Sequence, residues 1–205
     1  EAINLEEEID DKKLLLNDAI AANLQCTELY LWLAKLESEF EASKNVLNKA
    51  ITNVPSDHVI WIAAAQLQEE NGHEKECASL VKRAIKKLAK SGVLISREQW
   101  MEEAVKSEKS ARPITAKALI SETLNSGLES RLQYFTDELA KGKEKRRIWI
   151  EETDRLKTMG GLVCARALIS AATSLFPLKK KVWQASIDLE SQVGTAEQVE
   201  QVLSQ

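Results

Sequence analysis

The sequence predicts an all-α protein, a right-handed α-solenoid built from stacked antiparallel helix pairs. Seven glycines and three prolines in 205 residues are too few for an all-β fold, which needs turns at short intervals. No segment alternates apolar and polar residues as a half-buried strand does. An aromatic residue instead recurs every 31 to 49 residues, followed by small and apolar residues at helical offsets. Together these features indicate a helical repeat.

The first helix of each unit, helix A, carries a leading aromatic residue near its N-terminus. These aromatics are Tyr30, Trp61, Trp100, Trp149 and Trp183. After Tyr30, a small residue follows four positions later (Ala34), a leucine six positions later (Leu36) and a glutamate seven positions later (Glu37). Matching positions in the later units are Ala65, Leu67, Ala104, Leu189 and Glu190, with Gln68 in the place of one Glu. Offsets of four and seven share one helix face, so we expect these residues to form the repeat core.

The second helix of each unit, helix B, carries small residues and ends near a proline. Ala50 and Ala172 each lie 11 residues before a leading tryptophan, and Pro55 and Pro177 lie six before it. Proline cannot continue a helix, so it is expected between helix B and the next helix A.

The spacing predicts a leading B helix at about 9–23 and five A/B pairs after it. The predicted pairs cover 27–39 and 41–53, 57–70 and 74–90, 97–109 and 113–125, 145–158 and 161–175, and 179–192 and 195–204. Glycines at 72, 92, 160 and 194 fall at predicted helix ends, where a positive φ suits glycine. We expect residues 1–205 to be one repeat array cut from a longer protein, because the chain begins with Glu1 and stops inside an apolar-periodic segment.

Stacking decides the role predicted for the tryptophans. A single helix pair cannot bury its own apolar face, whereas stacked pairs share a continuous core. Exposed aromatics could instead stack on the bases of single-stranded RNA. Their recurrence at one repeat position beside alanines favours core packing.

Composition narrows the class of protein further. A net charge of -4 and a pI near 5.5 argue against a surface devoted to nucleic acid. No stretch is long and apolar enough to span a membrane. The three cysteines are far apart in the sequence, which suits a reducing compartment with buried free thiols.

No pattern of catalytic or metal-binding residues occurs. His58 and His73 have no ligand at metal spacing and are expected in exposed turns. The adjacent pairs Glu102–Glu103 and Glu151–Glu152 diverge on a helix and are expected on a solvated face. Phosphate-loop, dinucleotide and nucleophile-elbow motifs are missing. We therefore expect no enzyme activity, no cofactor, no metal and no small-molecule substrate.

Three basic clusters leave two interpretations open. They are Lys82-Arg83-Lys86-Lys87-Lys90, then Lys141-Lys143-Lys145-Arg146-Arg147, then Lys179-Lys180-Lys181. Each is either a solvated surface or a contact to an acidic protein segment or RNA phosphate.

The connection 127–147 breaks the repeat period. It contains the adjacent aromatics Tyr134 and Phe135, followed by the second basic cluster. An apolar anchor beside positive charge suits an acidic, partly apolar partner segment. The alternative is a short extra helix packed on its own repeat.

Period and residues together resemble the half-a-tetratricopeptide (HAT) repeat family. The resemblance rests on Glu28–Glu37, Val46–Ala50, Val59–Leu67, Gly92–Trp100 and Cys164–Ala167, and it covers most of residues 9–205. The stretch 92–104 is its most specific part, because repeat packing alone does not require Arg-Glu-Gln before a tryptophan. HAT proteins act mainly as protein scaffolds in RNA-processing assemblies, and this resemblance implies the same class.

Within that family, the segments resemble the HAT proteins of the spliceosome. The resemblance implies a nuclear, non-catalytic scaffold that bridges the U-five and U-four/U-six particles of the tri-snRNP. Its partners would be spliceosomal snRNP proteins, with at most peripheral, non-specific RNA contact. The alternatives are a HAT scaffold of polyadenylation or ribosomal RNA processing, and an RNA-binding helical repeat.

Overall fold

The computed structural model describes residues 2–93, 95–125 and 143–194, together with residue 200, and these residues form helices and turns without a strand. They divide into two compact units, Glu1–Leu94 and Ile95–Gln205. The first unit contains α1 (Ala2–Ala22), α2 (Thr27–Leu36), α3 (Phe40–Asn53), α4 (His58–Glu70) and α5 (Glu74–Lys90). The second contains α6 (Arg97–Lys109), α7 (Pro113–Asn125), α8 (Lys143–Thr158), α9 (Leu162–Leu175) and α10 (Lys180–Val193).

In the first unit each helix packs on the next one along the chain. The A helices α2 and α4 also contact one another. Tyr30 on α2 and Trp61 on α4 are buried, and so are the small signature residues Ala50 and Ala65. The leading rings and the small residues of the pattern therefore both belong to the core, and the helix pairs stack as the all-α prediction requires.

In the second unit α9 is the central helix. It packs on α6, α7, α8 and α10, while α6 packs on α7. Trp100 on α6 and Trp149 on α8 are each 2% exposed, and Ala104 and Ala172 are fully buried. Stacked helix pairs with buried leading tryptophans and buried alanines thus recur in this unit, and the α-solenoid fold class is confirmed.

The aromatic side chains also fix the entry into each A helix. Trp61 Nε1 donates a hydrogen bond to the carbonyl of Pro55 (3.3 Å), and Trp183 Nε1 donates to that of Pro177 (2.8 Å). The Tyr30 hydroxyl donates to the carbonyl of residue 24 (3.2 Å). In all three cases the acceptor lies six residues upstream. The proline six residues before the tryptophan therefore supplies a carbonyl acceptor in addition to ending helix B.

The observed helix bounds follow the predicted map closely, apart from two places. Helix α1 starts at Ala2 rather than near residue 9, and α8 starts at Lys143 rather than 145. Lys143, which the sequence placed only in the long connection, therefore belongs to α8, together with the basic residues 145–147 that the predicted helix already included. The rest of that connection, including Tyr134, Phe135 and Lys141, lies outside the described residues, and so does most of the predicted helix 195–204.

Four helices end in one shared turn geometry. The amide five residues beyond a helical carbonyl bonds back to it, as in a Schellman motif. These bonds are His73 to Gln68, Val93 to Leu88, Arg112 to Ser107 and Gly161 to Leu156, at 2.9–3.1 Å. The preceding residue needs a positive φ, which three glycines supply: Gly72, Gly92 and Gly160. In the fourth turn Ala111 adopts φ 58°.

The prediction of a positive φ at Gly194 was wrong. Its φ is -91° and its ψ 176°, so α10 ends in extended backbone. A positive φ that the sequence did not predict occurs at Ala111, in the turn between α6 and α7.

Ala111→Gly is expected to raise the free energy of unfolding by about 0.5–1 kcal/mol. Alanine in a left-handed conformation carries a steric strain of about 1 kcal/mol that glycine avoids. Gly72→Ala is the matched reverse change, since its added Cβ would meet nothing within 4 Å and only the φ of +75° opposes it. Urea unfolding measures both. A destabilised Ala111→Gly variant would contradict the shared-turn geometry.

Candidate interaction surface

A recurring ion pair joins each of two B helices to the A helix that follows. Lys13 on α1 pairs with Glu37, the residue that caps the C-terminus of α2, with 2.9 Å between Nζ and Oε2. Arg166 on α9 pairs with Glu190 on α10, where Nε and Nη2 each bond a carboxylate oxygen at 2.9 Å. Both pairs are separated by 24 residues. The glutamate seven residues after the leading aromatic is thus an acceptor for a cation on the previous helix.

The second repeat, led by Trp61, lacks this pair. The position equivalent to Glu37 and Glu190 is Gln68, and the residue 24 before it is Lys44. Gln68 is 7% exposed, and its Oε1 lies 3.1 Å from His73 Nδ1. Lys44 instead pairs with the exposed Glu41, 2.9 Å away on its own helix. An amide therefore replaces the carboxylate, and the lysine is paired locally.

The specific stretch 92–104 has local structural roles. Ser96 Oγ accepts from the Gln99 amide (3.2 Å), and the Gln99 side chain accepts from the Ser96 amide (2.8 Å), which forms a capping box at the start of α6. Arg97 is 3% exposed and lies beside Glu152 of α8. The Arg-Glu-Gln segment is thus used for capping and for a buried electrostatic contact between helices.

Burial dominates the electrostatics of Arg97. It lowers the pKa of this guanidinium to about 10, a shift that the negative charges of Glu152 and Glu98 partly offset. Glu152 itself is only 4% exposed, so its predicted place on a solvated face was wrong. Adjacent helical side chains diverge by roughly 100°, and this directs Glu152 inward while Glu151 stays exposed and pairs with Arg147 at 3.0 Å.

Glu108 binds the first turn of α9 from the end of α6. Its two carboxylate oxygens accept from the amides of Val163 (2.7 Å) and Cys164 (3.0 Å). A carboxylate at a helix N-terminus satisfies unpaired amides and interacts favourably with the helix dipole. Burial, followed by the hydrogen bond and charge of Glu108, raises the pKa of the Cys164 thiol.

The cysteines and histidines only partly match their predicted settings. Cys77 and Cys164 are buried free thiols, as expected, whereas Cys26 is half-buried and its Sγ donates to Glu28 (3.3 Å). His73 is exposed next to its turn and packs edge-on against Phe40, while His58 is half-buried at the start of α4.

Trp32 departs from the prediction that tryptophans pack in the core. It is 57% exposed, next to Leu15, which is 68% exposed. With Leu16, Leu36 and two lysines, Lys12 and Lys35, these side chains line an apolar groove between α1 and α2. The equivalent positions in the next repeat, 31 residues later, are Leu47 for Leu16 and Leu67 for Leu36. Both line the groove between α2, α3 and α4. The position equivalent to Trp32 is Ala63, so a large side chain at this position occurs in the first repeat and not in the second.

The basic clusters lie on helices where the structure describes them. All five residues of the first cluster are exposed on α5. The third cluster is exposed at the start of α10. Of the second cluster only Arg147 has a described side chain, and it is exposed. The partner contact predicted for that cluster stays a prediction.

The remaining signature residues occupy mixed environments. Leu189 is buried, whereas Ala34, Leu36, Leu67, Pro55 and Trp183 are half-buried and Pro177 is exposed. Within 2–93, 95–125 and 143–194, no three side chains of His, Cys, Asp or Glu are grouped to hold a metal ion. Over the same part of the chain, every helix is too short or too polar to cross a bilayer.

Comparison with known proteins finds relatives that are named as pre-mRNA splicing or processing factors. The chain is 33% identical over 135 residues to pre-mRNA-splicing factor prp1 of Schizosaccharomyces pombe, which is 66% of this chain and 14% of that protein. It is 34% identical over 115 residues to pre-mRNA-processing factor 6 of Homo sapiens, or 56% of this chain and 11% of that protein. Protein STABILIZED1 of Arabidopsis thaliana is 36% identical over 67 residues, 33% of this chain and 6% of that protein. No protein-family model matches.

Stacked antiparallel helix pairs, each described A helix led by an aromatic residue, make this chain an α-helical repeat protein of the α-solenoid class. In particular, the chain is similar to pre-mRNA-processing factor 6 and to pre-mRNA-splicing factor prp1. The matched part is a small share of each relative's length.

Proposed function

We propose that this chain is a non-catalytic protein–protein interaction scaffold in pre-mRNA splicing. The observation that carries the proposal is its identity of 33–34% with proteins named as pre-mRNA splicing or processing factors, over 115–135 residues of the repeat region. Stacked repeats support it, because they expose long lateral helix faces that suit extended contacts with other proteins.

The finer role follows from the resemblance of the repeat segments. In this role the chain acts in the nucleus, contacts spliceosomal snRNP proteins and helps bridge the U-five and U-four/U-six particles of the tri-snRNP. RNA contact is peripheral and non-specific, since the chain has a net charge of -4. The connection 127–147 remains a candidate partner contact within this role.

Capture from nuclear extract with the 205-residue chain, read by mass spectrometry, tests the proposal. Proteins of the tri-snRNP should be enriched. A matched control carries Trp149→Ala, which removes a buried side chain and leaves the exposed ones unchanged. Partners that recognise the folded stack should be depleted from this control. Enrichment of polyadenylation or ribosome-assembly factors without tri-snRNP proteins would contradict the splicing role.

Direct RNA binding is the test of the alternative function. A labelled single-stranded RNA should bind weakly, without sequence preference, and with an affinity that falls steeply as salt rises. Tight binding of one sequence at physiological salt would favour the RNA-binding repeat instead.

A further inference from the structure

A basic groove crosses the first unit between α3 and α5, with α4 as its floor. Its volume is about 430 Å³. The floor contains the apolar side chains Leu47, Leu67 and Leu80. The polar side chains that line the rim of the groove are Lys44, Asn48, Gln68, Lys75, Glu76 and Arg83. An apolar floor under a mainly cationic rim can hold a short polypeptide segment by one inserted side chain and by charge.

The positive rim continues along α5. This helix carries six basic and two acidic residues, and both acids lie in its first turn. Lys75, Lys82, Arg83, Lys86 and Lys90 are all exposed. At helical spacing they fall within about a third of the circumference, so they form one stripe beside the groove. The stripe stands out in a chain of net charge -4.

The missing repeat ion pair lies inside this groove. In the first repeat and the last described one, a glutamate neutralises the cation 24 residues before it. In the groove the corresponding residues are Lys44 and the neutral Gln68. The carboxylate of the first and last repeats is therefore replaced here by the buried amide of Gln68, and Lys44, which lines the groove, pairs with the exposed Glu41 instead.

We propose that the basic groove binds an acidic peptide segment of a partner protein, with one apolar side chain on the Leu47–Leu67–Leu80 floor. A partner carboxylate competes with the exposed Glu41 for Lys44, and further acids align with Arg83 and the α5 stripe. This inference rests on the proposed scaffold function and names the chemistry of one partner.

Two features favour a peptide over RNA as the occupant. RNA bound without sequence preference stacks its bases on exposed aromatic rings. No aromatic side chain lines this groove, and Trp61 on α4 is 1% exposed, with the Lys87 ammonium 5.5 Å from its ring centre. A leucine floor contributes to binding an apolar side chain and contributes nothing to binding phosphate.

Fluorescence anisotropy with the 205-residue chain tests the inference. The probe is a labelled 12-residue peptide of Glu and Asp with one central Leu. The chain should bind it with an affinity that falls as salt rises, and replacing the peptide Leu by Ser should weaken binding at least about fivefold, because burial of one such side chain is worth about that factor or more. A labelled 12-nucleotide oligo(U) should bind more weakly than the Leu peptide.

Protein variants locate the contact. Arg83→Glu/Lys86→Glu should weaken peptide binding at least about tenfold. The matched control is Lys179→Glu/Lys181→Glu, which changes net charge equally on exposed residues of the other unit and should change affinity less than about twofold. Equal losses in both would mean general charge attraction and would overturn the inference.

Gln68→Glu gives the sharpest readout, because it adds the missing carboxylate within the chain. It should pair with Lys44, keep or raise the thermal midpoint, and weaken peptide binding at least about fivefold. Since this variant removes no contact of the stripe, it stays informative if Arg83→Glu/Lys86→Glu fails to fold. Unchanged peptide binding in Gln68→Glu would overturn the inference, as would preference for the RNA or indifference to the peptide Leu.

The two proposals fail in different ways. If the groove variants lose the peptide but wild-type chain captures no splicing proteins, the groove chemistry stands and the splicing role fails. If wild-type chain captures tri-snRNP proteins and no groove-dependent peptide binding is seen, only the groove inference fails.

Discussion

Trp61→Ala is expected to lower the free energy of unfolding by about 3–5 kcal/mol, which is the range for deleting a large aromatic side chain from a core. Trp61 lies on α4 and is 1% exposed. Helix α4 packs on α3 and α5, and these packed neighbours limit collapse of the cavity. Its indole also donates to the Pro55 carbonyl.

Two companion variants separate the contributions. Trp61→Phe keeps most of the buried ring and loses the bond to Pro55, so it should cost clearly less than Trp61→Ala. Lys86→Ala changes an exposed side chain on the neighbouring helix α5 and should shift stability by less than about 0.5 kcal/mol. Urea unfolding followed by circular dichroism measures all three. Equal effects of Trp61→Ala and Lys86→Ala would show that the core face has been assigned wrongly.

The helix pattern could be predicted because its signal is redundant. A leading aromatic, an alanine four residues later and an alanine eleven residues before are enough to place α4 and its neighbours within one or two residues. Each of these residues lies on the face that packing requires, so a local pattern and a tertiary requirement coincide.

Trp32 shows where the same reasoning fails. It lies two residues after Tyr30, about 200° around the helix from the core face, so its position alone already argued against burial. The comparison with Ala63, at the same repeat position, would have marked Trp32 as a surface residue. The core prediction rested on the recurring repeat position, which Tyr30 occupies in this repeat and Trp32 does not.

Ala111 and Gln68 show two other limits. An alanine in a sequence gives no sign of a positive φ. The φ of Ala111 is set by the tight turn that joins α6 to α7. Gln68 replaces the glutamate that forms an ion pair in two other repeats. Those two pairs could have been found from sequence by searching for a cation 24 residues before each repeat glutamate. That search needed the register between successive helices, which periodicity within one helix does not provide.

The buried pair of Arg97 and Glu152 gives the second large expected effect. Glu152→Gln should lower the free energy of unfolding by about 3 kcal/mol, as expected when one partner of a buried charge pair is neutralised. Burial already opposes the charged form of Arg97, whose pKa falls to about 10, and Glu152 is the strongest charge that offsets this effect. Arg155, 3.5 Å from Glu152, is partly exposed and can be resolvated when the carboxylate is lost.

The control and the double variant decide whether charge is the cause. Glu151→Gln alters the adjacent exposed carboxylate, which pairs with Arg147 on the surface, and should cost less than about 0.5 kcal/mol. Arg97→Met/Glu152→Leu removes both charges at similar volume and should recover a large part of the loss, because no buried charge remains to be desolvated. The effect of Glu152→Gln should persist at high salt, which screens exposed pairs far more than buried ones. A loss no larger than that of Glu151→Gln, or one that disappears at high salt, would show that the contact between α6 and α8 does not depend on this carboxylate.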